Sequence, residues 1–245
     1  MDYLNYPDPE ALPTAKAFIG RTVVVRLDPQ AAEAETLVSD LVFMRRIGVR
    51  PLVVYDAAER STGARLVAMI NRVGGEAVGI DGTSAGTLIA ASDADGNAVV
   101  RTVNAHLTSL LLEQGYIPVF AAQGAAISGM PIVLDGDDAA RVLAQATHAI
   151  RLLFPAHPGG VPSDTEGIIG ELTSSEALAL AAAGTLSVDL VRQLRAAAFG
   201  VRAGVDAAQL LDLSAHHASI VEMLTAQHVG TQVVSNVVLS RSTAS

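Results

Sequence analysis

Apolar runs of strand length alternate along this chain with amphipathic segments of helix length. Thr22 to Leu27 and Pro51 to Tyr55 are nearly continuous apolar runs, the pattern of strands buried on both faces of a sheet. Between them, Ala31 to Ile47 repeats apolar residues at helical spacing and ends at Gly48, a residue type that commonly terminates helices. Strands that alternate with crossover helices form a mostly parallel sheet with helices on both sides. The sequence therefore predicts an α/β protein with a three-layer α/β/α sandwich.

The same alternation continues along the rest of the chain and defines the predicted elements. Residues 87–103 are predicted to form a hairpin, because Asp95 and Gly96 make a turn pair between two strand-like runs. The other predicted strands cover residues 22–27, 51–55, 76–80, 116–121, 150–154 and 209–213. The predicted helices cover residues 31–47, 64–73, 105–114, 138–147, 174–183, 188–199 and 217–227.

The chain is long and apolar enough to form one large domain. It has 245 residues, half of them hydrophobic, which allows a sizeable core. Proline, histidine and glycine cluster between residues 155 and 161, so we predict that two lobes of this domain meet there. We expect an N-terminal helix within residues 1–20, an N-terminal lobe over 21–150 and a C-terminal lobe over 151–245.

The charge balance limits the classes of partner. The formal net charge is −9, which disfavours nucleic acid and anionic membrane surfaces. The chain has no cysteine, so it offers neither a disulfide nor a thiolate nucleophile. Its first residues lack the basic start and apolar run of a signal peptide, and no apolar run is long enough to cross a bilayer. A cytoplasmic protein without a membrane or nucleic-acid partner is therefore predicted.

Several motifs recur in a fixed order along nearly the whole chain. They include GVRPLVVYDA at 48–57, GGEAVGIDG at 74–82, VNAHLTSLLLEQGYIPVFAAQG at 103–124 and HVGTQVV at 228–234. Together with the DDAA segment that starts at Asp137, they resemble the amino acid kinase family, and most closely the arginine-sensitive N-acetylglutamate kinases. The resemblance implies a carbamate kinase-like fold, in which an acceptor lobe is followed by a nucleotide lobe.

The resemblance places one set of catalytic positions after the first two strands. The family has a lysine and two glycines after its first strand; the lysine supports the transferred phosphoryl group and the glycines admit phosphate. Arg26 stands at the lysine position, and Asp28 and Pro29 stand at the glycine positions. A glycine loop follows the family's second strand, and Asp56 lies in its place. Arginine differs from lysine in geometry, and each aspartate adds negative charge where phosphate would lie.

The resemblance places three of the remaining site positions in the nucleotide lobe, which begins at residue 151. Phe154 and Pro155 replace a polar Thr-Asp pair after a strand and are degenerate nucleotide-binding positions. Gln193 stands at the position of the family's second catalytic lysine. Asp137 retains the acid of the family's Asn-Ala-Asp motif, which organises the two lysines. The family's lid, with its substrate-binding arginine, is deleted between residues 59 and 64.

These departures predict a chain with the kinase fold that has lost phosphotransferase activity and acts as a binding, regulatory or oligomer-forming subunit. Such a chain needs no cofactor. Removing one electrostatic donor from a preorganised site commonly costs about 2.7–4 kcal/mol of barrier, and several donors are altered together here. The alternative is an active acetylglutamate kinase or a divergent amino acid kinase that phosphorylates a carboxylate in arginine biosynthesis with ATP and Mg²⁺. A structural or storage role is a third alternative.

Asp135, Asp137 and Asp138 form the densest acidic cluster in the sequence. Carboxylates are ligands for Mg²⁺, but Asp137 or Asp138 also precedes a predicted helix, where a carboxylate can cap free amide groups. The capping interpretation is preferred, and the histidines show no metal-ligand spacing such as H-E-x-x-H. No metal site is predicted.

The segment from Pro9 to Phe18 precedes the first strand and so cannot be a crossover helix. It contains Lys16, the only lysine in the chain, and an apolar stripe formed by Leu12, Ala15 and Phe18. A helix this short must pack on its own subunit or on another one. Its similarity to the N-terminal helix of the arginine-sensitive kinases implies exchange between dimers, and therefore a homo-oligomer larger than a dimer, such as a hexamer. An active kinase paralogue is a second candidate partner.

Overall fold

The architecture is that of a computed structural model, which describes residues 14–29, 31, 35–58, 60–157, 159–163, 167–225 and 229–236. The strands in these ranges are β1 (Thr22–Leu27), β2 (Arg50–Tyr55), β3 (Ala77–Asp81), β4 (Leu88–Ser92), β5 (Ala98–Val103), β6 (Ile117–Ala121), β7 (Gln123–Ala125), β8 (Pro131–Val133), β9 (Arg151–Pro155), β10 (Glu171–Thr173), β11 (Ala207–Leu211) and β12 (Thr231–Val234). The helices are α1 (Glu35–Arg46), α2 (Arg60–Arg72), α3 (His106–Glu113), α4 (Gly136–Ala146), α5 (Ser174–Ala182), α6 (Val188–Arg202) and α7 (Ala218–Leu224).

The main sheet has eight strands in the order β10-β12-β11-β9-β1-β2-β6-β3. All neighbouring strands in it are parallel except β11 and β12. Strand β1 lies inside the sheet, where Val24 is in register with Leu52 of β2 and with Leu152 of β9. The predicted α/β fold with a mostly parallel central sheet is confirmed.

Apolar layers cover both faces of the main sheet. On β1, Val24 belongs to the same buried cluster as Phe120 and Leu143, whereas Val23 and Val25 belong to a second cluster. Because successive strand residues point to opposite faces, this division places one cluster on each side. Helices α3 to α6 contribute to the first cluster, and α1, α2 and α7 contribute to the second. The continuous apolar runs in the sequence are explained by this burial on two faces.

A smaller sheet has four strands in the order β5-β4-β7-β8. Strands β4 and β5 form the predicted antiparallel hairpin, whose turn is closed by a hydrogen bond from the Gly96 amide to the Asp93 carbonyl. Leu88 and Ala90 of β4 point into the first buried cluster. The small sheet is therefore packed onto the same core as the main sheet.

The predicted elements all have counterparts, with two kinds of difference. Strand β11 begins at Ala207, two residues before the predicted start at Gln209. The sequence analysis missed β7, β8, β10 and β12, which have only three or four residues each. Segments this short do not repeat a pattern often enough for periodicity to identify them.

The main sheet runs through both predicted lobes, because β1 of the N-terminal lobe pairs directly with β9 of the C-terminal lobe. The division into lobes stays a prediction. Among the described helices, none is both long and apolar enough to span a membrane.

The first half of the predicted N-terminal helix, Pro9 to Phe18, lies outside the described residues, which begin at Thr14. At its described end, Ala15–Ala17 forms a single turn of 3-10 helix. Ala15 and Phe18 are buried in the second cluster of their own subunit, whereas Ile19 is 56% exposed. The described end of this segment therefore packs on its own subunit.

Phe154 of β9 provides a test of the first buried cluster, because its side chain is fully buried there. We expect Phe154→Ala to lower the free energy of unfolding by about 3–5 kcal/mol, through lost apolar burial and the cavity left behind. The control is Phe199→Ala on α6, where the ring is 47% exposed and the expected change is much smaller. Urea unfolding measures both, and equal losses would contradict the buried position of Phe154.

Candidate active site

A cleft of about 310 Å³ lies at the carboxyl ends of β1, β2 and β9, beside the first turns of α4 and α6. Open parallel sheets commonly bind ligands at this edge. The cleft is lined by Arg26, Asp28, Pro29, Asp56, Asp137, Pro155, Ala156, His157, Ser187, Asp189, Leu190, Arg192 and Gln193. The fold thus brings together side chains from both predicted lobes.

Arg26 is almost completely buried at the edge of the cleft, with 6% of its side chain exposed. Its Nε donates to Asp137 Oδ1 at 3.0 Å, and its Nη2 donates to Asp56 Oδ2 at 2.6 Å. Its Nη1 donates to the carbonyl oxygen of Leu27. Each guanidinium nitrogen therefore already has a partner within the protein.

Gly136, the first residue of α4, lets the helix approach this guanidinium. A Cβ atom at position 136 would lie 2.5 Å from Cζ and Nε of Arg26 and 2.5 Å from Oδ1 of Asp56. Cβ atoms essentially never come this close to other heavy atoms. The glycine between Asp135 and Asp137 is therefore required by the ion pairs beside it.

Asp137 lies in the first turn of α4 and is almost completely buried, with 4% of its side chain exposed. Burial raises its pKa to about 6, against the lowering effect of Arg26. Asp135 and Asp56 raise this pKa further, and Arg192 lowers it. Oδ2 of Asp137 accepts no hydrogen bond from any described residue, and Nε of Arg192 lies 3.8 Å from it.

Asp135 caps α4, which confirms the capping interpretation of the acidic cluster. Its carboxylate accepts hydrogen bonds from the amides of Asp137 and Asp138, at 2.9 and 3.0 Å. The predicted capping residue, Asp137 or Asp138, was wrong, because the helix begins at Gly136 and both residues lie in its first turn. Within the described ranges, no group of three or more histidine or acidic side chains is arranged to hold a metal ion.

Asp28 belongs to a chain of polar side chains along the cleft. Its Oδ1 accepts a hydrogen bond from the Ala31 amide at 2.7 Å, and its Oδ2 lies 3.1 Å from Nε2 of His157. Nδ1 of His157 is 3.6 Å from Oδ1 of Asp212. The sequence analysis assigned no role to His157 or Asp212, although both follow strands whose carboxyl ends meet at this edge.

Gln193 and Arg192 occupy the first turns of α6. Nε2 of Gln193 donates to the carbonyl oxygen of Pro155 at 2.7 Å, so this amide is tied to the end of β9. Arg192, which the sequence analysis missed, is half-exposed and lies 2.8 Å from Asp189 and 3.5 Å from Asp135. Its place near the start of the helix that carries Gln193 was the available signal, because this end of α6 lies beside the cleft.

Phe154 was predicted to be a degenerate nucleotide-binding position, but it does not lie in the cleft. Its side chain is fully buried among Val24 and Leu152 and does not line the cleft. The reason is its place within β9, where its side chain points into the core, whereas Pro155 ends the strand at the cleft. The other predicted site residues do line the cleft: Arg26, Asp28, Asp56, Asp137, Pro155 and Gln193.

The chain belongs to the amino acid kinase family, because the model of that family matches residues 21–201. Its relatives include the acetylglutamate kinase of Synechococcus elongatus, which is 28% identical over 274 residues, covering 93% of this chain and 91% of the kinase. The acetylglutamate kinase of Stutzerimonas stutzeri is 26% identical over 282 residues, covering 93% of this chain and 94% of the kinase. The family predicted from the sequence motifs is confirmed.

Solved structures of the same fold include two enzymes with different chemistry. The N-acetylglutamate synthase of Neisseria gonorrhoeae, complexed with coenzyme A and N-acetyl-glutamate, has a TM-score of 0.82 at 19% identity. That match covers 92% of this chain and 62% of the synthase. The carbamate kinase of Giardia lamblia, bound to AMP-PNP, has a TM-score of 0.67 at 13% identity, covering 89% of this chain and 99% of the kinase. These similarities concern the fold alone.

The raised pKa of Asp137 predicts that the stability of the fold depends on pH. Its pKa is raised from 3.8 to about 6 in the folded chain, so between these pH values the folded protein holds a proton that the unfolded protein has lost. The contribution of Asp137 to the free energy of unfolding therefore falls as the pH rises through this window, by up to roughly 3 kcal/mol. Urea unfolding from pH 4 to 7, compared with Asp137→Asn, measures this term. Parallel pH profiles for the two proteins would contradict the raised pKa.

Proposed function

We propose that this member of the amino acid kinase family has lost phosphoryl transfer and acts as a binding or regulatory subunit. One observation carries the proposal: Arg26, at the position of the family's first catalytic lysine, is buried between Asp56 and Asp137. A side chain held in this way cannot turn toward a phosphoryl group without leaving the buried carboxylate of Asp137 and the partly exposed carboxylate of Asp56 unpaired. The proposal includes the cytoplasmic location and the absence of a cofactor predicted from the sequence.

The charge of the cleft supports the proposal. Its lining contains four aspartates, which are Asp28, Asp56, Asp137 and Asp189, but only two arginines. Two like unit charges 4 Å apart repel by about 4 kcal/mol at an effective dielectric constant of 20. A hydrogen bond to a charged group contributes about 1.5–3 kcal/mol. The repulsion between a carboxylate and a phosphate at that distance is therefore larger than the stabilisation from one such hydrogen bond. Phosphoryl transfer depends on the opposite balance.

The groups that would hold phosphate are also altered in shape and in donors. Pro29 lacks a backbone N–H, and it lies in the cleft beside Asp28. Gln193 carries no charge at the position of the second lysine, and its amide is engaged with Pro155. These features support a loss of the site as a unit rather than of one residue.

The alternative function is an active acetylglutamate kinase or a divergent amino acid kinase that uses ATP and Mg²⁺. The acetylglutamate kinases among the relatives favour it, because they match 93% of this chain. The retained acid Asp137 and the positive charges of Arg26 and Arg192 in the cleft also favour it. The two functions differ in whether those charges are available to a substrate.

A coupled assay with ATP, Mg²⁺ and N-acetylglutamate distinguishes the two functions. We expect turnover far below about 1 s⁻¹, the low end of typical enzyme rates. We also expect Gln193→Lys to stay inactive, because residues of a catalytic site act as a unit and the phosphate loops are altered as well. Gln145→Lys, at an exposed position of α4, is the matched charge control.

Turnover near 1 s⁻¹ in the unmodified chain would overturn the proposal. So would activity that appears in Gln193→Lys but not in Gln145→Lys, because it would mean that the cleft still binds and orients phosphate. The acetylglutamate kinase of Synechococcus elongatus serves as the positive control for the assay.

We further propose that the chain forms a homo-oligomer larger than a dimer through the segment before Gly20. The support is its similarity to the N-terminal helix of the arginine-sensitive kinases, together with the exposed side chain of Ile19. An active kinase paralogue is the second partner compatible with a regulatory role.

Light scattering on the full chain and on a chain starting at Gly20 tests the homo-oligomer. We expect a lower subunit number for the shorter chain, whereas equal numbers, or a monomeric full chain, would contradict the linking role.

A further inference from the structure

We propose that the cleft binds a small organic cation, with an ammonium or guanidinium group held among the carboxylates of Asp28, Asp56 and Asp137. This inference rests on the proposed function, because it requires that the cleft is no longer a phosphate site. It extends that function by naming the chemical class of the ligand.

The first support is a buried acceptor without a hydrogen bond. Asp137 lines the cleft with 4% of its side chain exposed, and its Oδ2 has no hydrogen-bond partner within the described structure. A buried polar atom without a partner costs roughly 1–3 kcal/mol. Nε of Arg192 lies 3.8 Å from this oxygen, which is beyond hydrogen-bond distance. An N–H group of a ligand in the cleft would supply the missing donor.

The second support is the charge left over after the internal ion pairs are counted. The lining has four aspartates and two arginines, a formal balance of −2 with neutral histidine. Arg26 is engaged by Asp56 and Asp137, and Arg192 is engaged by Asp189. Among the described residues, Asp28 is paired with His157 and a backbone amide and not with a lysine or arginine. The uncompensated charge favours a cation over an anion.

The third support is the size and lining of the cleft. A volume of about 310 Å³ lies at the low end of the range for small-molecule sites, so it suits a single metabolite rather than a nucleotide. Leu190, Pro29 and Pro155 offer apolar surface next to the carboxylates. A short alkyl chain with a cationic end group matches this combination. An organic cation is favoured over a metal ion, because the described acidic and histidine side chains form no metal-binding group.

Calorimetric titration with putrescine and with agmatine tests the inference on the full chain at low salt and pH 7.5. We expect saturable binding to one site, weakened about tenfold or more by Asp28→Asn, since a removed carboxylate takes away a direct charge interaction. Asparagine keeps an oxygen that can accept from the Ala31 amide. Asp95→Asn is the matched control, because it removes the same charge from an exposed hairpin turn and should leave the affinity unchanged. Asp189→Asn, at a 77% exposed side chain, is a second cleft variant for use if Asp28→Asn does not fold.

A second readout reports on Asp137 itself. The charged groups that face its carboxylate are Arg26, Asp56, Asp135 and Arg192. An added cation favours the ionised carboxylate, so saturating putrescine should lower the pKa of Asp137 from about 6, as followed by carbon NMR of its carboxyl group. A purely structural Asp137 would show no such shift.

The inference is overturned if neither probe gives saturable binding, or if Asp28→Asn and Asp95→Asn weaken binding equally. An unchanged pKa of Asp137 at saturation also contradicts it. The kinase assay separates this failure from that of the proposed function. Absent cation binding in a chain without turnover rejects only the ligand class, whereas phosphoryl transfer by the unmodified chain rejects both.

Discussion

A cluster of three charges joins the ends of β1 and β2 to the first turn of α4, with the buried Arg26 between the partly exposed Asp56 and the buried Asp137. Taking such charges out of water is expensive, and removing one partner of a buried pair typically costs 3–5 kcal/mol. The cluster also dictates its surroundings, because Gly136 is the residue that leaves room for the guanidinium. The arginine therefore serves the packing of the cleft floor and is not free to serve a ligand.

In the proposed function, this arrangement separates the fold from the chemistry of its family. The family model places the chain in the amino acid kinase family, its sequence is similar to acetylglutamate kinases, and its fold is similar to that of a carbamate kinase. A shared fold does not fix function, which depends on the groups in the site. In the cleft, Asp28 and Asp56 bring negative charge, and Gln193 brings none. The balance of charge favours a positively charged ligand and opposes phosphate.

The sequence was sufficient for the fold and for most positions of the cleft. Strands buried on both faces, such as β1, are recognisable because nearly every residue is apolar. The order of the family motifs identified Arg26, Asp56 and Asp137 as site residues, and all three line the cleft. The sequence did not reveal that Arg26 donates hydrogen bonds to both Asp56 and Asp137. The contact with Asp137 depends on the packing of α4 against β1. The short strands β7, β8, β10 and β12 were missed because three or four residues carry too little pattern.

Two side chains illustrate what motif comparison cannot resolve. Phe154 and Pro155 are adjacent in the sequence, yet the first lies in the core and the second at the cleft. A motif aligns both positions but does not state which side chain faces the ligand. His157 contacts Asp28 across 129 positions of sequence, so only the three-dimensional structure brings the two together.

Direct titration of the full chain with magnesium AMP-PNP tests the central claim that the cleft has ceased to be a nucleotide and phosphate site. The account predicts a dissociation constant weaker than about 1 mM, which corresponds to a binding free energy of about −4 kcal/mol or less favourable. Micromolar binding at one site per chain would contradict it, because such affinity requires the positive field that the carboxylates of this cleft oppose.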